Sequence, residues 1–203
     1  GSVVLALPKL EDKNPLVKHV FGDWQVTTIV QAGTGYPITV GLGIPGINQG
    51  PGNNAFRPNR ADGAIDCTTT TTNRTQYLNP NAWTINGYQL GTNGNSGRYV
   101  CDGPFMFQAD ASVYKNIHLG PRVTLQLRLE VFNIFNNLNF RADQLNSTYN
   151  AENVVFGDAA GNVVANDSPA RTQVLTATAP GNFGQFTSAR DPRTMQLGIR
   201  LQF

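Results

Sequence analysis

The stretch RTMQLGIRLQF, residues 193–203, alternates polar and apolar side chains without a break. Successive side chains of an extended strand point to opposite faces of a sheet, so this alternation predicts a strand with two chemically different faces. The apolar face comprises Met195, Leu197, Ile199, Leu201 and Phe203. The chain is therefore predicted to remain extended, within a sheet, up to its final residue.

The same period of two recurs elsewhere in the chain. It is clearest in VTLQLRLEV, residues 123–131, which follow a predicted tight turn, HLGPR, at 118–122. Further strands are predicted at 3–7, at 105–113, and at 24–40 with a bend near Gly33 and Gly35. The expected fold is all-β, an antiparallel sheet of about five long strands.

Two segments between these strands, about 41–103 and 137–182, are rich in Gly, Asn, Thr and Pro and are predicted to be long loops. The second is expected to contain a small hairpin at 153–165. Residues 1–203 are interpreted as a single unit. Short connections at one end of the strands and long ones at the other are typical of outer-membrane barrels.

The composition narrows the possible partners. The net charge of +2 argues against nucleic acid as a partner, and charged residues make up 14% of the chain, below the roughly 25% of soluble domains. Cys67 and Cys101 lie in loop-like sequence, where a disulfide and two free thiols are both possible. No run approaches the ~18 apolar residues of a membrane-spanning helix.

The alternation alone also fits a soluble antiparallel sandwich, which buries one apolar face. Two observations favour the barrel. The connections are unequal at the two ends of the strands, and the polar faces carry residues such as Gln126, Arg128 and Glu130 that suit a wet interior better than a dry core.

Three separated stretches resemble the C-terminal barrel segment of TonB-dependent outer-membrane receptors, in particular the Oar-like subgroup. They are GDWQVTTIVQAGTGYPITV (22–40), ADASVYKNIHLGPRVTLQLRLEVFNIFNNLNF (109–140) and NFGQFTSARDPRTMQLGIRLQF (182–203). The resembling motifs are Lys115-Asn116 before the turn, Glu130 to Asn133 with Phe135-Asn136 after the strand, and SARDPR leading into the last strand. The resemblance implies that Met195, Leu197, Ile199, Leu201 and Phe203 form the signal read by the barrel-assembly machinery.

The resemblance implies a structural and ligand-presenting part of an outer-membrane transporter, whose ligand the sequence does not identify. Such receptors have about 22 strands and a plug, so this chain is expected to need partners. These are outer-membrane lipid, the assembly machinery, and either the remaining barrel strands or other copies of the chain. The alternative is a soluble or self-assembling all-β protein derived from such a barrel, with an extracellular location.

Residues for catalysis, cofactor binding or metal binding are not expected. The two histidines, His19 and His118, lie in or near predicted turns, and no motif for a nucleophile or metal is present. GLGIPG (41–46) matches G-x-G-x-x-G in form, but no helix follows it to receive a phosphate. Asp110, Glu130, Arg128 and Arg200 are interpreted as an ion-pair ladder across neighbouring strands.

Overall fold

A computed structural model describes residues 1–10, 12–47, 56–63, 65–69 and 71–203. Two 3-10 helices, Pro80–Ala82 and Ala142–Gln144, accompany the strands and one α-helix. In chain order the other elements are β1 (Ser2–Ala6), α1 (Pro15–Phe21), β2 (Trp24–Gly33), β3 (Pro37–Ile38), β4 (Gly41–Gly43), β5 (Asn59–Arg60), β6 (Trp83–Thr84), β7 (Tyr88–Gln89), β8 (Cys101–Asp102), β9 (Met106–His118), β10 (Thr124–Phe132), β11 (Thr148–Asn150), β12 (Glu152–Gly157), β13 (Val163–Val164), β14 (Gln173–Thr178) and β15 (Thr194–Gln202).

Contacts divide the chain into two compact units. The sheet unit comprises Gly1–Gly33, Phe105–Asn139 and Ala189–Phe203, and the loop unit comprises Thr34–Pro104 and Phe140–Ser188. No helix among the described residues is both long enough and apolar enough to cross a membrane.

The sheet unit contains one five-stranded sheet in the order β1-β2-β9-β10-β15, with every pairing antiparallel. The predicted all-β antiparallel fold with about five long strands is confirmed. In the register of β10 and β15, Leu127 faces Ile199, which places both apolar stripes on the same side of the sheet.

The predicted strand over 24–40 ends at Gly33, and Pro37–Ile38 pairs with β8 within the loop unit. Gly35 explains part of this break, because a Cβ there would overlap the Gly103 carbonyl group. The proline at position 37 also lacks the N–H that a central strand requires.

The helix α1 was not predicted, although its boundary signals are present. The Asn14 side chain accepts a hydrogen bond from Leu16 N at 3.0 Å, Pro15 occupies the first turn, and Gly22 follows the end. At Gly22 a Cβ would approach the Lys18 carbonyl oxygen to 2.8 Å, so only glycine fits there. With seven residues, α1 is too short to show an apolar period.

The loop unit contains short strands and a packed core. It has a four-stranded sheet, β13-β12-β14-β7, together with three two-stranded pairings. The hairpin predicted at 153–165 is confirmed, with Phe156 facing Val164. The largest fully buried side chains of the loop unit include Leu42, Leu78, Ile85, Phe156 and Phe183. The two segments predicted as loops from their composition therefore carry their own strands and core.

Candidate functional site

The sheet unit buries almost none of its apolar side chains among the described residues. Ala109 is the only buried apolar side chain among the described residues of the sheet unit, whereas the extended hydrophobic core lies in the loop unit. Leu197 and Ile199 are 82% and 76% exposed. We name the side of the sheet on which they lie the apolar face. By the strand register the buried Lys115 also lies on this side, and the apolar residues of the face on β9, β10 and β15 are Ala109, Ala111, Val113, Ile117, Leu125, Leu127, Leu129, Val131, Met195, Leu197, Ile199 and Leu201.

The residues predicted to form the assembly signal lie on the apolar face of β15, the last strand of the sheet, or just beyond it. Phe203 follows the strand and is 97% exposed. Within the described ranges β15 pairs with β10 alone, so each of its side chains has a neighbouring strand on one side. The outer edge of β15 therefore offers backbone N–H and C=O groups to a further strand.

The opposite side of the sheet, here named the polar face, carries an ionic cluster. Arg128 Nη2 lies 2.6 Å from Glu130 Oε1 and 3.2 Å from Tyr114 Oη, and its guanidinium stacks 5.0 Å from the Tyr114 ring centre. A cleft of about 150 Å³ borders this cluster and is also lined by Gln196 and Arg200. Such a surface suits water and polar solutes.

The predicted ion-pair ladder across neighbouring strands is wrong. Among the described residues Arg200 forms no ion pair, Arg128 pairs with Glu130 of its own strand, β10, and Asp110 binds uncharged groups. Its Oδ1 accepts the Asn133 backbone N–H at 2.8 Å and a Gln108 amide hydrogen at 3.2 Å, and it forms no ion pair among the described residues. Asp110 therefore fixes the chain where β10 ends, and the charge pairing on this face is between Arg128 and Glu130.

Asparagines join β9, β10 and the segment before β15 at the end of the sheet where the long connections start. Asn133 is buried with a φ of 51°, and its Nδ2 donates to Asn137 O at 3.0 Å and to Asp191 O at 3.3 Å. Asn139 Nδ2 donates to Phe107 O at 2.8 Å, and Asn136 Oδ1 accepts Arg193 N at 3.0 Å. We name Asn133, Asn136 and Asn139 the asparagine clasp. The sequence resemblance includes Asn133 and Asn136 but did not indicate these contacts.

The other end of the sheet carries α1, the tight turn and Phe203. His118 Nε2 lies 2.9 Å from Asp23 Oδ2, and His118 Nδ1 lies 3.0 Å from Thr124 Oγ1. His118, predicted to lie in the turn, is instead the last residue of β9, directly before the turn, and it links β9, β10 and the start of β2. Lys115 is buried at this end, where it donates to the Gly22 carbonyl and lies 5.5 Å from the Trp24 ring centre.

In the loop unit, a disulfide joins Cys67 and Cys101, whose Cα atoms are 6.1 Å apart, within the usual range.

Hydrogen bonds from the Arg141 guanidinium and the Gln144 amide lower the pKa of Asp143 to about 2. Hydrogen bonds from Asn162 lower the pKa of Asp158 in the β12–β13 turn. Burial raises the pKa of Tyr149.

No cluster of three or more His, Cys, Asp or Glu side chains that could hold a metal ion occurs in the part of the chain that the structure describes. The Asp158 side chain, a candidate oxygen ligand, instead accepts the backbone N–H groups of Ala160 and Asn162, each at 2.9 Å. These two hydrogen bonds form a turn motif, in which the Asp158 carboxylate binds the backbone of its own turn.

The sequence model of a family described as outer membrane beta barrel domain matches residues 1–196. No curated protein and no solved structure matches the chain.

Proposed function

The chain belongs to the outer membrane beta barrel domain family, and we propose that its sheet is a segment of the wall of a TonB-dependent transporter in the outer membrane. Its role there is structural and ligand-presenting rather than catalytic. The family match supports a barrel-type outer-membrane protein, and the resemblance of the three sequence stretches supports the more specific assignment.

The exposed apolar face carries the proposal. Apolar side chains on a soluble monomer are normally covered or scattered, and a contiguous exposed patch marks an interaction site for protein or membrane. Here Leu197 and Ile199 are exposed on one side of the sheet, and Arg128 and Glu130 form an ion pair on the other. Strands with lipid-facing apolar residues that alternate with polar lumenal residues are typical of outer-membrane barrels.

The strand directions favour the remaining strands of a barrel over copies of this chain as the partner. Four antiparallel pairings separate β1 from β15, so the two edge strands run in the same direction. Copies arranged in a ring would place β15 parallel to the next β1 at every seam. Antiparallel closure instead requires a partner with an odd number of strands, which also gives the even total of bacterial single-chain barrels.

The terminal strand is proposed as the signal for barrel assembly. Phe203→Ala should reduce insertion of the chain by purified barrel-assembly machinery in proteoliposomes, measured as protection from added protease. Gln202→Ala is the matched control, because it alters the neighbouring residue on the polar face of the same strand. Equal insertion of both variants would contradict the role of Phe203.

The membrane assignment is tested by the mass of the purified chain in solution, measured by light scattering with and without detergent. The proposal predicts heterogeneous aggregates in buffer that detergent converts to a uniform protein–detergent particle. A uniform monomer or dimer in buffer, with a protein mass unchanged by detergent, would support the soluble alternative and contradict the proposal.

A further inference from the structure

A cavity of about 450 Å³ lies on the polar face of the sheet, at the end that carries the tight turn. Its volume is within the range of small-molecule sites. The register of β9 and β10 fixes the side, because Asn116 faces Gln126 and accepts a hydrogen bond from Gln126 Nε2 at 3.0 Å. The side chains that line the cavity are those of Lys9, Lys18, His19, Asp23, Asn116 and His118.

The wall of the cavity that belongs to the sheet is bonded within itself. Asp23 Oδ2 lies 2.9 Å from His118 Nε2, and Asp23 Oδ1 accepts a hydrogen bond from Asn116 Nδ2 at 3.4 Å. The other ring nitrogen of His118 lies 3.0 Å from Thr124 Oγ1. The Asp23 carboxylate is therefore engaged by the sheet, and it does not neutralise a lysine of the cavity.

The opposite wall carries positive charge without a partner. Lys9 precedes α1, and Lys18 and His19 lie in its last turn. None of the three forms an ion pair or a side-chain hydrogen bond with another described residue. Two ammonium groups beside one cavity repel each other, and an anion between them turns that repulsion into attraction. The cavity therefore favours an anionic ligand.

The backbone that carries these charges is held against the start of β2. Leu7 N donates to Trp24 O at 2.8 Å, and Asp23 N donates to Pro8 O at 3.1 Å. A Cβ on Gly22 would overlap the Lys9 carbonyl oxygen, so this close approach of the two segments requires glycine. Because the backbone is ordered before a ligand arrives, binding needs to order only the side chains.

We propose that this cavity binds the phosphate group of a small solute, either inorganic phosphate or a phosphate ester. The ammonium groups of Lys9 and Lys18 contact the phosphate oxygens, and the His19 ring donates an N–H. A phosphate group brings up to two negative charges and at least three acceptor oxygens for these donors, whereas a carboxylate brings one charge and two oxygens. The site goes beyond the proposed function, and its binding does not require a membrane.

Isothermal titration calorimetry of the full chain in an uncharged detergent and a phosphate-free buffer with 0.15 M salt tests the site. The titrants are inorganic phosphate, glycerol phosphate and malonate, whose two charges lie on separate carboxylates. The proposal predicts that both phosphates bind more tightly than malonate. Tighter binding of glycerol phosphate would identify an ester as the ligand, and tighter binding of inorganic phosphate would identify the free ion.

Charge variants locate the bound phosphate. Lys18→Gln should weaken phosphate binding roughly fivefold, which corresponds to about 1 kcal/mol for one charge pair about 4 Å apart in water. Lys18→Arg should retain the affinity. Lys13→Gln is the matched control, because it removes a positive charge from the same connection but not from the cavity, and it should leave the affinity nearly unchanged at this salt concentration.

Three results would overturn the proposal. They are a wild-type chain that binds neither phosphate, equal weakening by Lys13→Gln and Lys18→Gln, and malonate binding as tight as that of phosphate. The first two would show that the cavity is not a site, and the third would show that its ligand is of another class. None of them would alter the light-scattering result in detergent, so the proposed membrane function is judged separately.

Discussion

Arginine substitutions along β15 measure whether the apolar face is in contact with lipid. Ile199 lies in the middle of that face and is 76% exposed, so about a quarter of it contacts protein. Full burial of such a side chain stabilises a protein by about 1.5–3 kcal/mol. A quarter of that value, about 0.4–0.7 kcal/mol, is the packing free energy that the substitution removes. In water, Ile199→Arg should therefore change the free energy of unfolding by less than about 1 kcal/mol.

In a bilayer the same substitution places a charge near the midplane, where arginine costs about 2–4 kcal/mol on a lipid-facing strand. Met195 lies near the start of β15, at one end of the apolar face. Met195→Arg should therefore cost about 0–1 kcal/mol, because its charge reaches the membrane–water interface. Gln196→Arg on the polar face is the control and should be nearly neutral.

The assay is equilibrium unfolding by urea in phospholipid vesicles, followed by tryptophan fluorescence. The expected order of destabilisation is Ile199→Arg, then Met195→Arg, then Gln196→Arg. If Ile199→Arg costs no more than Gln196→Arg, or if the cost does not depend on depth, the reasoning from the apolar face is refuted.

Three further predictions concern the asparagine clasp and the loop unit. In urea titrations, Asn133→Ala should lower the free energy of unfolding by about 3 kcal/mol, because it removes buried hydrogen bonds and places alanine in a left-handed backbone conformation. Asn133→Gly should cost about 1 kcal/mol less, because glycine adopts that conformation without strain. Equal costs for the two variants would contradict the backbone contribution. Replacing Cys67 and Cys101 by Ser should destabilise the loop unit by roughly 4 kcal/mol in thermal unfolding, since the disulfide closes a loop with a sequence separation of 34. Dithiothreitol should have no further effect on that variant. Asp143 should titrate near pH 2 in NMR spectra, and in Arg141→Gln its pKa should rise towards the ordinary value of about 3.9 without reaching it, because the Gln144 hydrogen bond remains. Because its folded pKa is depressed, its contribution to stability is present above about pH 4 and is lost as the pH falls towards 2.

The long strands could be predicted because their signal is local and repeated. In β10 and β15, nine consecutive residues alternate, and the structure places both strands within a residue of the predicted ranges. A period of two over that length has few competing interpretations. The same argument fixed which side chains share the apolar face, because one residue of slip would reverse both faces.

The interior of the loop unit could not be predicted, because its strands are too short and its contacts too distant. β7 has two residues and pairs with β14, more than 80 positions away, where Val174 faces Tyr88. Periodicity cannot detect two residues, and composition rich in Gly, Asn and Thr indicates turns without showing what they enclose. The core around Phe183 depends on side chains from both long connections.

The asparagine clasp escaped prediction for a related reason. The hydrogen bond between Asp110 and Asn133 spans 23 positions, and the one between Asn136 and Arg193 spans 57. Nothing in the local sequence of an asparagine shows whether its amide binds a distant backbone group or water. The positive φ angles of Asn133 and Asn136 were similarly hidden, although asparagine adopts that conformation more readily than most residues.

The most direct measurement of the membrane-facing claim is a nitroxide scan of residues 125–131 on β10 in phospholipid vesicles. Each residue is replaced in turn by a labelled cysteine, while Cys67 and Cys101 remain in their disulfide. Collision with oxygen should peak at Leu125, Leu127 and Leu129, and collision with a water-soluble nickel complex should peak at Gln126, Arg128 and Glu130. If the leucine positions are shielded from both reagents, the apolar face lies in a dry protein core, and the account is contradicted.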